Sequence, residues 1–136
     1  KQIIGVKDSS YNLFENLKLD NFSILPGTET KLLKGLEIGC SGIITATCNL
    51  TAQLSRKVFD DFNLNKKQTQ NQKLIDVRNT FDKYNLISAL HTYCAQENKI
   101  YRNILPPLSL LDERNEKELI EKLKNLNFTN KSLLAA

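Results

Sequence analysis

Methionine and tryptophan are absent from the 136 residues, and histidine occurs once, at His91. A chain without Met that opens at Lys1 inside an apolar run is expected to be a piece of a longer protein. Cysteine is scarce as well. Cys40, Cys48 and Cys94 are odd in number and sit at spacings that fit no metal motif. That excludes a disulfide framework and points to reduced thiols in a cytoplasmic protein. No apolar run nears the ~20 residues of a membrane span, and no signal peptide is expected. Charge of one sign is limited too, with a net charge of +4. The lysines alternate with acids, as in "DERNEKELIEKLK", which marks a solvated helix face and not a nucleic-acid footprint. The expected partners therefore include neither nucleic acid nor membrane.

What is present is an ordinary globular composition, 40% hydrophobic and 25% charged. The first half alternates between two periodicities. Ile3 to Val6 is a short apolar strand, and "SSYNLFENLKL" follows as a helix with Ser9 or Ser10 as N-cap. Phe22 to Gly27 is a second strand closed by Pro-Gly. "ETKLLKGLEIG" places Leu32, Leu33 and Leu36 at helical spacing, with Gly39 where a C-cap belongs. "SGIITATCN" is a third strand. "TAQLSRKVFDDF" is a helix capped by Thr51, with Leu54, Val58, Phe59 and Phe62 on one face. The order β-α-β-α-β-α with short connections predicts parallel strands and right-handed crossovers.

The second half predicts helices. Leu74, Val77 and Phe81 share a face, "LISALHTYCAQ" is apolar, and the Pro106-Pro107 segment has to be extended. The last helix buries Leu119, Ile120, Leu123 and Leu126. The fold class is therefore α/β: residues 1–65 as three βα units of a partial (β/α)8 barrel, and 66–136 as an all-helical C-terminal extension.

In such barrels chemistry sits where strands run into the following loops. Here those ends are Lys7, then Gly27, Thr28 and Glu29, then Thr45, Ala46 and Thr47. A lysine beside apolar residues is expected to be partly desolvated, which disfavours an ammonium form. A neutral amine attacks ketones and gives a Schiff base. From these residues alone, a lysine with its stem on the rim and its charge in water fits as well. Glu29 has two readings of its own, a substrate contact or a carboxylate favoured by the following helix dipole. His91, on a tail helix, reads as packing or interface.

"IIGVKDSS", "LPGTETKLLKGLEIGCSGIITATCN" and "YRNILPPLSLLDERNEKELIEKLKNL" together resemble the dihydrodipicolinate synthase and N-acetylneuraminate lyase family of Schiff-base aldolases, from its sixth strand onward. The resemblance implies Lys7 as the nucleophile toward pyruvate or another 2-oxo acid, and no cofactor beyond that covalent adduct. It implies Gly27, Thr28, Glu29, Ile44 and Thr45 as substrate-binding residues. It also implies a homo-oligomer, dimer or tetramer, active only with an upstream half that supplies a carboxylate-binding pair and a proton-relaying tyrosine. Tyr11, Tyr84, Tyr93 and Tyr101 do not take that tyrosine's place. The sialic-acid lyases have a second acid where Thr30 stands and a serine where Ala46 stands, so both departures count against sialic acid. Dihydrodipicolinate synthase proper is one alternative. A non-catalytic relative, kept as sensor or scaffold, is another.

Overall fold

The computed structural model describes residues 2–10 and 12–129. The chain divides into two compact units, residues 1–75 and 76–136, with the boundary inside a helix and not at the compositional change near residue 65.

In the first unit β1 (Gly5–Asp8) and β2 (Ser23–Pro26) pair in parallel, with Lys7 opposite Leu25 and Asp8 opposite Pro26. Between them lies the single-turn α1 (Leu13–Asn16). Strand side chains alternate between faces. Val6 and Ile24 pack with Phe14, Leu17, Phe22 and Cys40 on the helix side. Lys7 and Leu25 therefore project from the opposite face. After β2 a 3-10 turn (Glu29–Lys31) leads into α2 (Leu32–Glu37). Gly39 ends this helix as expected: its φ is +94°, a left-handed conformation that favours glycine. Its N–H bonds to Leu36 O at 3.1 Å and the Cys40 N–H to Gly35 O at 2.8 Å. This crossed pair satisfies carbonyls that the helix end leaves open.

The third predicted strand does not form. Residues 41–44 run beside β2, with Ser41 N donating to Ile24 O at 3.2 Å and Ile44 N to Pro26 O at 3.1 Å. Three residues of this run span what two residues of β2 span, and Gly42 takes φ +145°. Pro26 has no N–H to return a bond, so the ladder stays open. The run then turns early into α3 (Cys48–Asn63). Thr51 consequently lies in the first turn of α3 and is not its cap. The core of this unit gathers Leu32, Leu36, Val58 and Leu74, with Leu33, Ile43, Leu54, Phe59 and Phe62 packed around them. Leu74 carries the start of α4 (Asn71–Phe81) into the first unit.

The second unit is helical. Val77 and Phe81 on α4 are fully buried. α5 (Leu86–Cys94) is capped by Asn85, whose side chain accepts from Ser88 N at 3.1 Å. α6 (Glu113–Asn125) is capped by Asp112, which accepts from Asn115 N at 2.8 Å. Its buried face is narrower than expected: Leu119 and Leu123 are fully enclosed, Ile120 and Leu126 half so. Each fully buried leucine contributes about 2 kcal/mol. The Pro106–Pro107 segment, expected to be extended, instead forms a turn between these helices: its peptide bond is cis, and Leu108 N donates to Leu105 O at 3.1 Å across it. No helix among the described residues is long and apolar enough to cross a membrane.

Burial pushes the Cys94 thiol on α5 up to about 11 from 9.0. Its contribution to stability is complete below the unfolded value and is lost as pH rises through the folded one. The stability gap between the wild-type whole protein and Cys94→Ala is therefore expected to narrow above pH ~9, by at most about 1.4 kcal/mol per pH unit. Urea unfolding at a series of alkaline pH values measures it. A gap that stays constant with pH contradicts the assignment.

Candidate active site

Both strand ends of the first unit are organised by a buried acid. At the end of β1, Asp8 is 2% exposed. Its Oδ2 accepts from Phe14 N at 2.9 Å, and its Oδ1 from Ser10 N at 2.9 Å and Ser10 Oγ at 2.6 Å. The N-terminus of α1 is thus bonded by Asp8, where Ser9 or Ser10 had been expected. Sequence reasoning passed over Asp8 as part of a polar run. Its signal was an acid followed by two serines and a short helix.

Lys7, the residue before it, is exposed. Its face of the sheet lies opposite the helices, so the expected desolvation is not supplied by the described residues. The Lys7 stem runs beside Gly27. A Cβ at Gly27 would come within 3.1 Å of Asp8 O, 3.3 Å of Ser9 Oγ and 3.5 Å of Lys7 Cε. The Gly27 N–H also donates to Asp8 O at 2.8 Å. Glycine at this position lets the two strand ends close against each other beneath the lysine.

At the end of β2, Thr28 is buried and its hydroxyl oxygen accepts from Thr30 N at 3.4 Å, capping the 3-10 turn. Glu29 has no exposure to solvent. Its Oε1 accepts from Thr45 Oγ1 at 2.7 Å, Thr47 Oγ1 at 2.5 Å and Thr51 Oγ1 at 2.9 Å. A buried carboxyl is costly unless hydrogen-bonded, and three hydroxyls supply that compensation. Glu29 and Thr45, both implied by the resemblance as substrate-binding residues, are bonded directly to each other. Thr47 and Thr51 complete the cluster. Thr51 was read only as a helix cap, yet it follows Thr47 by one helical turn and so faces the same way. Ile44 is 48% exposed, with its N–H bonded to Pro26.

The remaining candidates fall into packing roles. His91 Nδ1 lies 2.9 Å from Tyr101 O, and the two rings meet edge to face. Tyr93 packs between Phe81 and Phe128. Burial holds the Tyr84 hydroxyl above its ordinary value. Tyr11 lies outside the described residues. Burial also raises the Cys40 and Cys48 thiols, so neither favours the reactive thiolate.

A lysine at the C-terminal end of a parallel strand, beside a glycine turn and next to a buried acid that bonds the following helix, defines a strand-end site of the α/β class. The model of the dihydrodipicolinate synthetase family matches residues 1–126, and the chain belongs to that family. It is 32% identical over 145 aligned positions to a 4-hydroxy-tetrahydrodipicolinate synthase of Buchnera aphidicola subsp. Cinara cedri, covering 97% of this chain and 47% of that protein. It is 28% identical over 112 positions to a 2-dehydro-3-deoxy-D-gluconate/2-dehydro-3-deoxy-phosphogluconate aldolase of Picrophilus torridus, covering 76% of this chain and 42% of that protein. The crystal structure of dihydrodipicolinate synthase from Aquifex aeolicus superposes with a TM-score of 0.79 at 20% identity, over 96% of this chain and 47% of that one. The family resemblance read from the motifs is thereby borne out. The chain spans less than half the length of the curated relatives it matches.

The close approach at Gly27 yields a stability prediction. Gly27→Ala in the whole protein forces a methyl against the backbone oxygen of Asp8, which its own N–H bond holds in place. A loss of about 1–3 kcal/mol is expected from such overpacking. Chemical denaturation measures it, and a variant as stable as wild type contradicts the geometry.

Proposed function

We propose that the whole protein is a Schiff-base lyase or aldolase that makes or breaks a carbon–carbon bond next to a pyruvyl group, with Lys7 as nucleophile. One observation carries the reading: within a family of lyases and aldolases, the lysine of "IIGVKDSS" stands exposed at the end of β1, stem against Gly27. On this reading β1, β2 and the run 41–44 are consecutive staves of a (β/α)8 barrel, and the face bearing Lys7 is its interior.

The chemistry follows from the amine. Neutral Lys7 Nζ adds to the C2 ketone of a 2-oxo acid, and the carbinolamine loses water to give an iminium. The cationic nitrogen draws electrons from C3. In the synthetic direction C3 loses a proton, the enamine attacks an aldehyde carbon whose oxygen takes up a proton, and hydrolysis of the iminium frees the product and Lys7. In the cleaving direction the C4 hydroxyl gives up its proton, the C3–C4 bond breaks, its electrons enter the enamine, and an aldehyde leaves. Protonation at C3 and hydrolysis then release pyruvate and free Lys7. The iminium supplies the polarisation that a Lewis-acid metal supplies in other aldolases, so the step is written with no cofactor.

Burial of Glu29 supports a small substrate. The acid of the Gly27 loop is enclosed by threonines, where a polyhydroxylated sugar acid needs acceptors in reach. Ala46 and Thr30 point the same way. We favour a 2-oxo acid, or a sugar acid shorter than N-acetylneuraminate. A second reading, 4-hydroxy-tetrahydrodipicolinate synthase, is favoured by the 32% identical relative of that activity.

Incubation of the whole protein with pyruvate and borohydride, followed by digestion and mass spectrometry, is expected to place the reduced adduct on Lys7. Lys7→Ala is expected to abolish turnover and leave the fold intact. An adduct on another lysine, or none in an active preparation, refutes the assignment.

A further inference from the structure

We propose that Glu29 is a positioning residue that sets Thr45 and Thr47 at the mouth of the site, and that it orients their hydroxyls so that Thr45 faces a ligand as a hydrogen-bond acceptor. This deepens the reading above and rests on it for the identity of the site, though not for the geometry.

Glu29 begins the turn after β2, and the three threonines lie on the run after Ile44 and the first turn of α3. The Oε1 oxygen therefore joins two successive loops through Thr45, Thr47 and Thr51 at 2.7, 2.5 and 2.9 Å. Further bonds extend the network. Thr45 Oγ1 accepts from Cys48 N at 3.2 Å, and the single Thr51 proton is shared between Glu29 Oε1 at 2.9 Å and Thr47 O at 3.1 Å. Thr47 offers no side-chain cap of its own to α3, so the Thr45 hydroxyl is what meets the helix start.

A hydroxyl has one proton. The proton that Thr45 donates to Glu29 is unavailable to anything else, and with one lone pair taken by Cys48 N a single lone pair remains for a ligand. Thr45 and Thr47 Oγ1 stand 3.0 Å apart, each also within hydrogen-bond distance of the same Glu29 oxygen. A group meeting Thr45 has to bring its own hydrogen. A hydroxyl of the aldehyde partner or a carbinolamine hydroxyl qualifies; the carboxylate of a 2-oxo acid does not. Glu29 itself, without exposure, acts through the threonines.

Thr51 separates this from a direct contact, because it lies on α3 and bonds the same oxygen from behind. In the whole protein, Glu29→Gln and Thr51→Val are each expected to lower kcat about 10- to 100-fold, the range for a misplaced group near the chemistry. KM is expected to change much less. The double variant is expected to be no worse than Glu29→Gln alone, and Thr51→Ser, which keeps the hydroxyl, to restore wild-type turnover. Amide exchange at Cys48 gives a readout independent of any substrate. It is expected to speed up in Glu29→Gln and Thr51→Val and to stay slow in Thr51→Ser. Failure of the aldolase reading is seen separately, as no pyruvate adduct in the wild type, and the exchange data still decide the geometry. Two results overturn the proposal: a Cys48 amide indifferent to Glu29→Gln, or a silent Thr51→Val beside a Glu29→Gln variant altered in KM alone.

Discussion

The bond set around Glu29 ties together what the rest of the first unit leaves apart. A carboxyl with no access to water, met by three threonine hydroxyls on one oxygen, fastens the loop after β2 to the loop after residue 44. The backbone ladder does not do this, because Pro26 has no N–H to give and Gly42 lets the neighbouring run bulge. Side-chain hydrogen bonds take over where main-chain ones stop. In a low-dielectric setting such bonds are strong, and an unmatched partner is costly, so the network favours one arrangement.

The same device appears at β1. Asp8 turns to the helix side and holds Ser10 and Phe14, while Lys7, one residue earlier, turns to the opposite face. Strand alternation alone separates the two: a buried, hydrogen-bonded acid on one side and an exposed lysine on the other. Gly27 closes the gap between the strand ends, where a Cβ would lie 3.5 Å from the Cε of the lysine stem. The exposed lysine thus stands on an ordered base, which is what an attacking amine requires to meet a carbonyl in one geometry.

Regular elements were legible in the sequence where one physical term dominated. Leu74, Val77 and Phe81 repeat at helical spacing and are all fully buried, and Gly39 ends its helix in the left-handed conformation. Leu119 and Leu123 behave likewise, whereas Ile120 and Leu126 sit at the edge of the apolar stripe and stay half-buried. The third strand was misread because β-branched residues report a preference for extended backbone and nothing about the partner. Its partner is a proline. The cap of α3 was placed four residues late, at Thr51 where Thr47 stands, because Thr51 resembles a cap in isolation, and its bonds to Glu29 and Thr47 come from the tertiary fold. The site was legible as a set of polar strand ends. The inward turn of Glu29 was not, because neither a helix-dipole reading nor a substrate reading of an acid contains three distant threonines.

A crystal structure of the whole protein trapped with pyruvate and borohydride tests the account most directly. The account predicts a covalent bond from Lys7 Nζ to the pyruvyl C2. It also predicts that Glu29 keeps Thr45, Thr47 and Thr51 within hydrogen-bond distance and makes no contact with the ligand. A pyruvyl group carried by a different lysine, or a Glu29 carboxyl swung onto the ligand and away from the threonines, would contradict it.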